Sequence, residues 1–248
     1  MSAMDFTIPS IVLETPSWAL IFKPHGMPSA PLSEGESGTI LSWFLARRKE
    51  ADVVMGKKAI ERGLLHRLDT GTAGLVLIAK TQGAYDALSE AQAKCRIRKG
   101  YLAFCVRDED APDSLPRHQA LPFAVTSRFR AFGPGRRMVS PLFPGMRGYD
   151  EAGRDYETLI EDIEVTEVGI ARIRVSLALG YRHQVRAHLA FLGYPIAGDP
   201  LYSKYPAPRD DEGVELPLQL YAPSISFPDP VDGTEVSFSL QLPDRMSR

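Results

Sequence analysis

The segment His66-Arg67-Leu68-Asp69-Thr70-Gly71-Thr72-Ala73-Gly74 places one carboxylate on a polar, glycine-containing turn directly ahead of the apolar run Leu75-Val76-Leu77-Ile78-Ala79. A carboxylate there is anchored by a rigid strand yet can project its oxygen into a cleft, which suits a nucleophile. The plainer alternative is an Asx-turn, in which Asp69 bonds only nearby backbone N–H groups. A second cluster, Gly180-Tyr181-Arg182-His183-Gln184-Val185-Arg186, opens a segment with helical periodicity. Arg182 and Arg186 are four apart and are expected on one helix face. Two arginines at the positive end of a helix dipole are easier to explain with an anion nearby than as a solvated basic face. His183 and His188 are five apart, about 140° around a helix axis, and His66 with Asp69 forms no recognised ligand spacing, so no metal is expected. No Gly-x-Ser-x-Gly elbow occurs and neither Cys95 nor Cys105 has a neighbouring histidine, which weakens serine and cysteine nucleophiles. Tyr101, in an apolar run, reads by default as half-buried packing with its hydroxyl at the rim.

The elements that must position these groups can be read from pattern. Residues 10–23 form two short strands around a turn at 14–17, followed by the loop Pro24-His25-Gly26-Met27-Pro28-Ser29. Thr39 caps an amphipathic helix carrying Ile40, Leu41, Phe44 and Leu45, and Thr81 caps another through Ala84, Leu88 and Ala91. Residues 75–79 and 99–106 read as strands. Residues 156–164 and 171–179 alternate and look like a strand pair. A helix over 183–192 ends at Gly193, and strand-like pieces return at 218–222 and 236–242. The Pro-, Gly- and Arg-rich stretch 112–153 is expected to be irregular. Many strands with few helices between them predict an α+β chain on a largely antiparallel sheet.

The chain has 248 residues, 44% hydrophobic and 24% charged, which excludes disordered, collagen-like and coiled-coil architectures. Its longest strongly apolar run, 73–79, falls well short of the roughly 20 residues of a membrane-spanning helix. With two cysteines and no signal-peptide pattern, a cytoplasmic location is expected. The net charge of −2 conceals segregation: residues 114–149 carry six arginines (Arg117, Arg128, Arg130, Arg136, Arg137, Arg147) and no acid, whereas residues 199–248 carry nine acids against four bases. A local basic patch attracts polyanions even on an acidic molecule.

Four stretches, in order, carry a resemblance. His66-Arg67-Leu68-Asp69 with Thr72-Ala73-Gly74-Leu75 resembles the H-R-L-D-x-x-T-S-G-L signature of the RluA-type RNA pseudouridine synthases. Lys23-Pro24-His25-Gly26-Met27 resembles that family's N-K-P-x-G-[LM] loop, and Lys99-Gly100-Tyr101-Leu102-Ala103 its K-x-Y-x-A strand. His183-Gln184-Val185-Arg186 through Gly198-Asp199-Pro200-Leu201-Tyr202 resembles its H-Q-[IL]-R…G-D-x-x-Y block. Four departures stand out: Tyr181 replaces the usual Arg, Arg182 the usual Thr or Lys, Ala73 the commoner Ser, and Tyr221 a frequent His.

The resemblance implies a pseudouridine synthase catalytic fold over residues 1–248, a mixed central sheet flanked by helices and loops, without the N-terminal S4 domain of many relatives. It implies isomerisation of uridine to pseudouridine in structured rRNA or tRNA, with Asp69 as nucleophile, Arg186 keeping it charged and oriented, and Tyr101 stacked on the uracil. The product is an isomer, so no cofactor is expected. Arg67 would fill the space left by the extruded nucleotide. His66, Arg182, Arg128, Arg130, Arg136 and Arg137 complete the expected RNA-binding set of a monomer needing no protein partner. A non-catalytic RNA-binding protein that keeps the fold is the alternative, and a nucleoside hydrolase is a third.

Overall fold

Two apolar runs build the heart of the first half of the chain. Trp18–Lys23 and Ala73–Ala79 are buried at every position, as expected of strands covered on both faces. The computed structural model describes residues 5–111, 120–165 and 169–242. Its elements run β1 (Ser10–Glu14), β2 (Trp18–Lys23), α1 (Ile40–Leu45), β3 (Ala73–Ala79), α2 (Gln82–Ala93), β4 (Arg98–Val106), β5 (Phe123–Phe132), β6 (Met138–Leu142), β7 (Tyr156–Val165), β8 (Ile170–Leu177), α3 (Gln184–Phe191), β9 (Leu220–Pro228) and β10 (Glu235–Ser239). The chain divides into two compact units, residues 1–99 with 221–248, and residues 100–220.

In the first unit the strand order is β1-β2-β3-β9, with β10 also on β9. β1–β2, β2–β3 and β9–β10 are antiparallel, and β3–β9 is parallel through Ala73↔Tyr221 and Gly74↔Ala222. Trp18, Leu20, Leu75, Leu77, Leu88 and Phe227 anchor its core. Both caps form as expected. Thr39 Oγ1 accepts the Ser42 N–H while Ser42 Oγ accepts the Thr39 N–H, and Thr81 Oγ1 accepts the Ala84 N–H.

The glycine at the second position of β3 is required by contact. A Cβ on Gly74 would stand 2.4 Å from the Ala222 carbonyl oxygen, and its φ of +145° lies where side chains are strained. Gly74→Ala is therefore expected to cost about 2–5 kcal/mol, from overpacking plus backbone strain. Urea unfolding checks this, and a loss under about 0.5 kcal/mol, the usual size of a surface change, would contradict the packing.

The second unit orders its strands β4-β8-β7-β5-β6, with β5–β6, β5–β7 and β7–β8 antiparallel. Its core gathers Phe123, Ile160, Ile173, Val175, Leu189 and Ile196, and α3 packs over β6 and β7. The fold class is α+β on a mixed sheet, as the pattern predicts. The stretch 112–153 corrects one expectation. Residues 112–119, which include Arg117, lie outside the described residues, but most of the remainder is regular: β5 and β6 form a hairpin around the turn Pro134–Arg136. Residues 123–127 of β5 pair with β7 and residues 128–132 with β6, so partners distant in sequence order a segment whose composition reads as loop. Among the described residues no helix is long and apolar enough to cross a membrane.

Candidate active site

Asp69 sits in the loop that enters β3. Leading into it, Leu65 N–H donates to the Leu77 carbonyl (3.1 Å), and His66 Nε2 accepts the Leu77 N–H (3.2 Å). The turn closes as Thr72 N–H donates to the Asp69 carbonyl (3.0 Å).

The loop after β2 is latched to this turn. Ser29 Oγ donates to the Leu68 carbonyl (2.7 Å) and accepts the Leu68 N–H (2.9 Å). Gly26 N–H donates to the Thr70 carbonyl (2.9 Å), and His25 Nδ1–H to that of Gly71 (2.5 Å). Lys23, 0% exposed, donates from Nζ to the carbonyls of Met27 (2.7 Å), Pro24 (3.0 Å) and Thr70 (3.2 Å). Two motifs separated by about forty residues are thus one hydrogen-bonded body. Tyr221 meets the His25 ring edge-on at 5.0 Å, and burial pushes its phenol up to about 12.

Burial pushes the Lys23 ammonium down to about 7, and the Asp69 carboxylate acts against that shift. Lys99 is likewise pushed down to about 8 by burial. In the unfolded chain both return to ordinary lysine values near 10.5. Between pH 7 and 10.5 the unfolded chain therefore binds more protons than the folded one, and stability rises with pH, by up to about 1.4 kcal/mol per pH unit for each group. Lys23→Met is expected to remove its share of that rise, leaving the Lys99 share above pH 8. Urea unfolding at pH 7, 8 and 9 checks it, and equal slopes for wild type and variant would contradict it.

His66 corrects the expected RNA-binding set. Its Nε2 is taken by β3, its Nδ1 is buried, and desolvation holds its pKa near 3. A ring neutral at physiological pH and turned into the fold positions the Asp69 loop and offers no charge to a phosphate. Arg67 is exposed and pairs with Glu61 at 3.0 Å.

The second unit holds Tyr101 and Arg186. Tyr101, on β4, is half-buried and packs on that unit's core. Arg186, on α3, is 5% exposed and bound in bidentate fashion by Asp199, Nε to Oδ2 at 2.8 Å and Nη2 to Oδ1 at 2.7 Å. Asp199 also accepts the N–H groups of Leu201 (2.9 Å) and Tyr202 (3.2 Å). The anion sought beside this helix start is thus Asp199, to which sequence reasoning gave no role although the G-D-x-x-Y block contains it. The helix is pinned to the sheet by Gln184 Nε2 on the Glu157 carbonyl and by His188, whose two ring nitrogens meet Thr158 Oγ1 (2.8 Å) and Ser127 Oγ (2.7 Å).

Arg182 does not share a face with Arg186. His183 adopts a left-handed conformation (φ 56°, ψ 19°) as N-cap, so Arg182 lies before the helix. Its Nη2 donates to the carbonyls of Arg136 (2.7 Å) and Met138 (3.4 Å), tying down the β5–β6 turn. Arg136 and Arg137 are exposed at that turn, and Arg128 and Arg130 lie on β5.

A family model described as RNA pseudouridylate synthase matches residues 17–191. Among curated proteins, the chain is 27% identical to "Ribosomal large subunit pseudouridine synthase D" of Zymomonas mobilis over 95% of its own length and 70% of that protein's. It is 32% identical to an "Uncharacterized RNA pseudouridine synthase" of Chloroflexus aurantiacus over 89% of its own length, spanning 62% of that relative. Its fold is shared with human RNA Pseudouridylate Synthase Domain Containing 4 (TM-score 0.67, 20% identity, covering 96% of this chain and 90% of that one). Human RNA Pseudouridylate Synthase Domain Containing 1 is also similar (TM-score 0.64, 18% identity, covering 100% and 96%).

Proposed function

The chain belongs to the RNA pseudouridylate synthase family, and from that premise we propose that it isomerises uridine to pseudouridine in ribosomal RNA, with Asp69 as the nucleophile. The observation that carries this reading is the family match spanning residues 17–191, with Asp69 held on a loop latched through backbone carbonyls to the Lys23–Ser29 segment. A carboxylate suits the step because it can add to a nucleoside and its ester can leave again. The N1–C1′ bond breaks, the uracil turns, and a C5–C1′ bond forms; the C5 hydrogen goes to solvent and N1 gains a proton. In this proposal Arg186 keeps Asp69 charged and oriented, with its own geometry set by Asp199. The Tyr101 ring stacks on the base, and its hydroxyl assists removal of the C5 proton. Arg67 fills the gap left by the extruded nucleotide, at an unstacking cost of a few kcal/mol that favours loop uridines. RNA of the ribosomal large subunit, the assembly that the Zymomonas relative's name carries, a monomeric state and a cytoplasmic setting complete the proposal.

The test is tritium release from 5-³H-uridine RNA isolated from cells lacking this protein, with carbodiimide mapping of the modified position. Stoichiometric release at a discrete rRNA site is expected; no release from total RNA would overturn the reading. Affinity for that RNA should fall as salt rises, with a log–log slope of about 0.7–0.9 per phosphate contacted. A slope near zero in filter binding would remove the phosphate-gripping role of the exposed arginines.

A further inference from the structure

The second unit contains a cleft that the proposed reaction does not use. It has a volume of about 260 Å³ and is lined by Arg128, Arg130, Arg154, Tyr156 and Tyr181, with Asp150 as its acidic member. That volume is slightly below the roughly 300–1,000 Å³ of pockets for drug-sized ligands, which matches a single small planar group with a charged appendage.

Its aromatic side is already assembled. Tyr181 stacks on Phe129 with ring centroids 4.9 Å apart and planes within 7°, and Tyr156 leans on both at 5.0 and 5.9 Å. Tyr181 is one of the four departures from the motifs that the chain resembles.

Its cationic side is held ready. Arg128 Nε is fixed by Asp155 at 2.7 Å, and its guanidinium lies over the Tyr149 ring at 4.4 Å. The loop 148–153 lies close against these arginines. A Cβ on Gly148 would stand 2.7 Å from Arg130 Nη1, and one on Gly153 3.1 Å from Arg128 Cδ. Within this packing Arg128 Nη1 is buried, with no hydrogen-bond partner among the described residues. A buried charged donor left unsatisfied is costly, and an anionic oxygen that reaches it recovers that cost. Guanidinium forks and aromatic faces are together the recognition chemistry of a nucleotide, the phosphate on the first and the base on the second.

The geometry points to a nucleotide subsite: this cleft takes a nucleotide of the substrate RNA other than the reacting uridine, its base on the Tyr181–Phe129–Tyr156 platform and its phosphate on Arg128 Nη1 and Arg154. The inference rests on the reading of the chain as an enzyme acting on RNA. It predicts sequence tolerance at that nucleotide, since every base has a π-face.

The experiment titrates the full chain with pentaadenylate, which contains no uridine, and with the corresponding abasic pentamer, at several salt concentrations. Wild type is expected to prefer pentaadenylate by roughly 5- to 150-fold, the worth of one stacked base. Tyr181→Ala, still melting cooperatively, should erase that preference with a weak effect on the abasic strand. Arg154→Gln, at an exposed position, should weaken both strands alike and lower the salt slope by about 0.7. Absence of the preference in wild type, or its survival in Tyr181→Ala, would overturn the subsite. If Tyr181→Ala does not fold, an unchanged affinity and salt slope in Arg154→Gln does the same. Adenosine monophosphate binding as tightly as the pentamer would overturn the RNA assignment in favour of a free-nucleotide site. Tritium release by wild type, measured in parallel, separates failure of this subsite from failure of the enzymatic reading.

Discussion

Asp69→Asn, purified in folded form, should release no tritium above background from 5-³H-uridine RNA that wild type converts, a loss of roughly 10⁴–10⁶-fold, the range seen when a covalent nucleophile is removed. The amide keeps the shape of the carboxylate but not its charge or its ability to form an ester that leaves. The backbone latch around this turn should survive the substitution. The latch around this turn runs through the main chain of Leu68, Thr70 and Gly71 and through the side chains of Lys23, His25 and Ser29. Asp69 contributes its carbonyl to the turn, and the substitution leaves that carbonyl in place. RNA affinity of Asp69→Asn is expected within a few-fold of wild type, because phosphate contacts dominate binding. Turnover by Asp69→Asn within tenfold of wild type would sink the nucleophilic assignment, whatever its effect on binding.

The second large effect falls on stability. Asp199→Ala removes the carboxylate that holds two edges of the buried Arg186 guanidinium and caps the Leu201 and Tyr202 N–H groups. Breaking a buried ion pair from one side costs about 3–5 kcal/mol, because the remaining charge has been desolvated for a partner that is gone. For a chain of this size that corresponds to a fall in melting temperature of roughly 6–20 °C. The double variant Arg186→Leu with Asp199→Leu should recover much of the lost stability, since well-packed apolar pairs substitute for buried ion pairs, yet remain inactive. A single-variant loss below about 1 kcal/mol would show the pair to be no more than a surface contact. Activity returning in the double variant would remove Arg186 from the reaction.

How far the sequence carried each feature depended on whether the deciding forces are local. β2, β3 and the two threonine caps were legible because apolar runs and Thr-initiated helical spacing act within a few residues. The Asp69 turn was legible as a motif, and the Lys23–Ser29 loop as another. Their union was not, because it depends on hydrogen bonds such as Lys23 to Thr70, across 47 positions, that no periodicity announces. β5 was hidden for the same reason, its order coming from two different partner strands while its flanks are rich in Pro, Gly and Arg. The pairing of Arg182 with Arg186 failed on one backbone angle. Four-residue spacing implies a shared face only if the helix is continuous, and His183 at φ 56° interrupts it. His66 entered the expected RNA-binding set through the motif that it opens. Its place beside Leu77 is set by strand register, which the isolated segment does not encode.

The latch between the segments after β2 and before β3 bears on how this scaffold can be re-engineered. Chimeras that exchange only residues 64–72 would import donors and acceptors whose counterparts stay behind on the recipient's own Lys-Pro turn, with Lys23 sealed beneath. The transferable module is therefore discontinuous: residues 23–29 and 64–74 must travel together, with the small residue at 74 and the strand that abuts it. Libraries that vary either segment alone are sampling half of a single mechanical part.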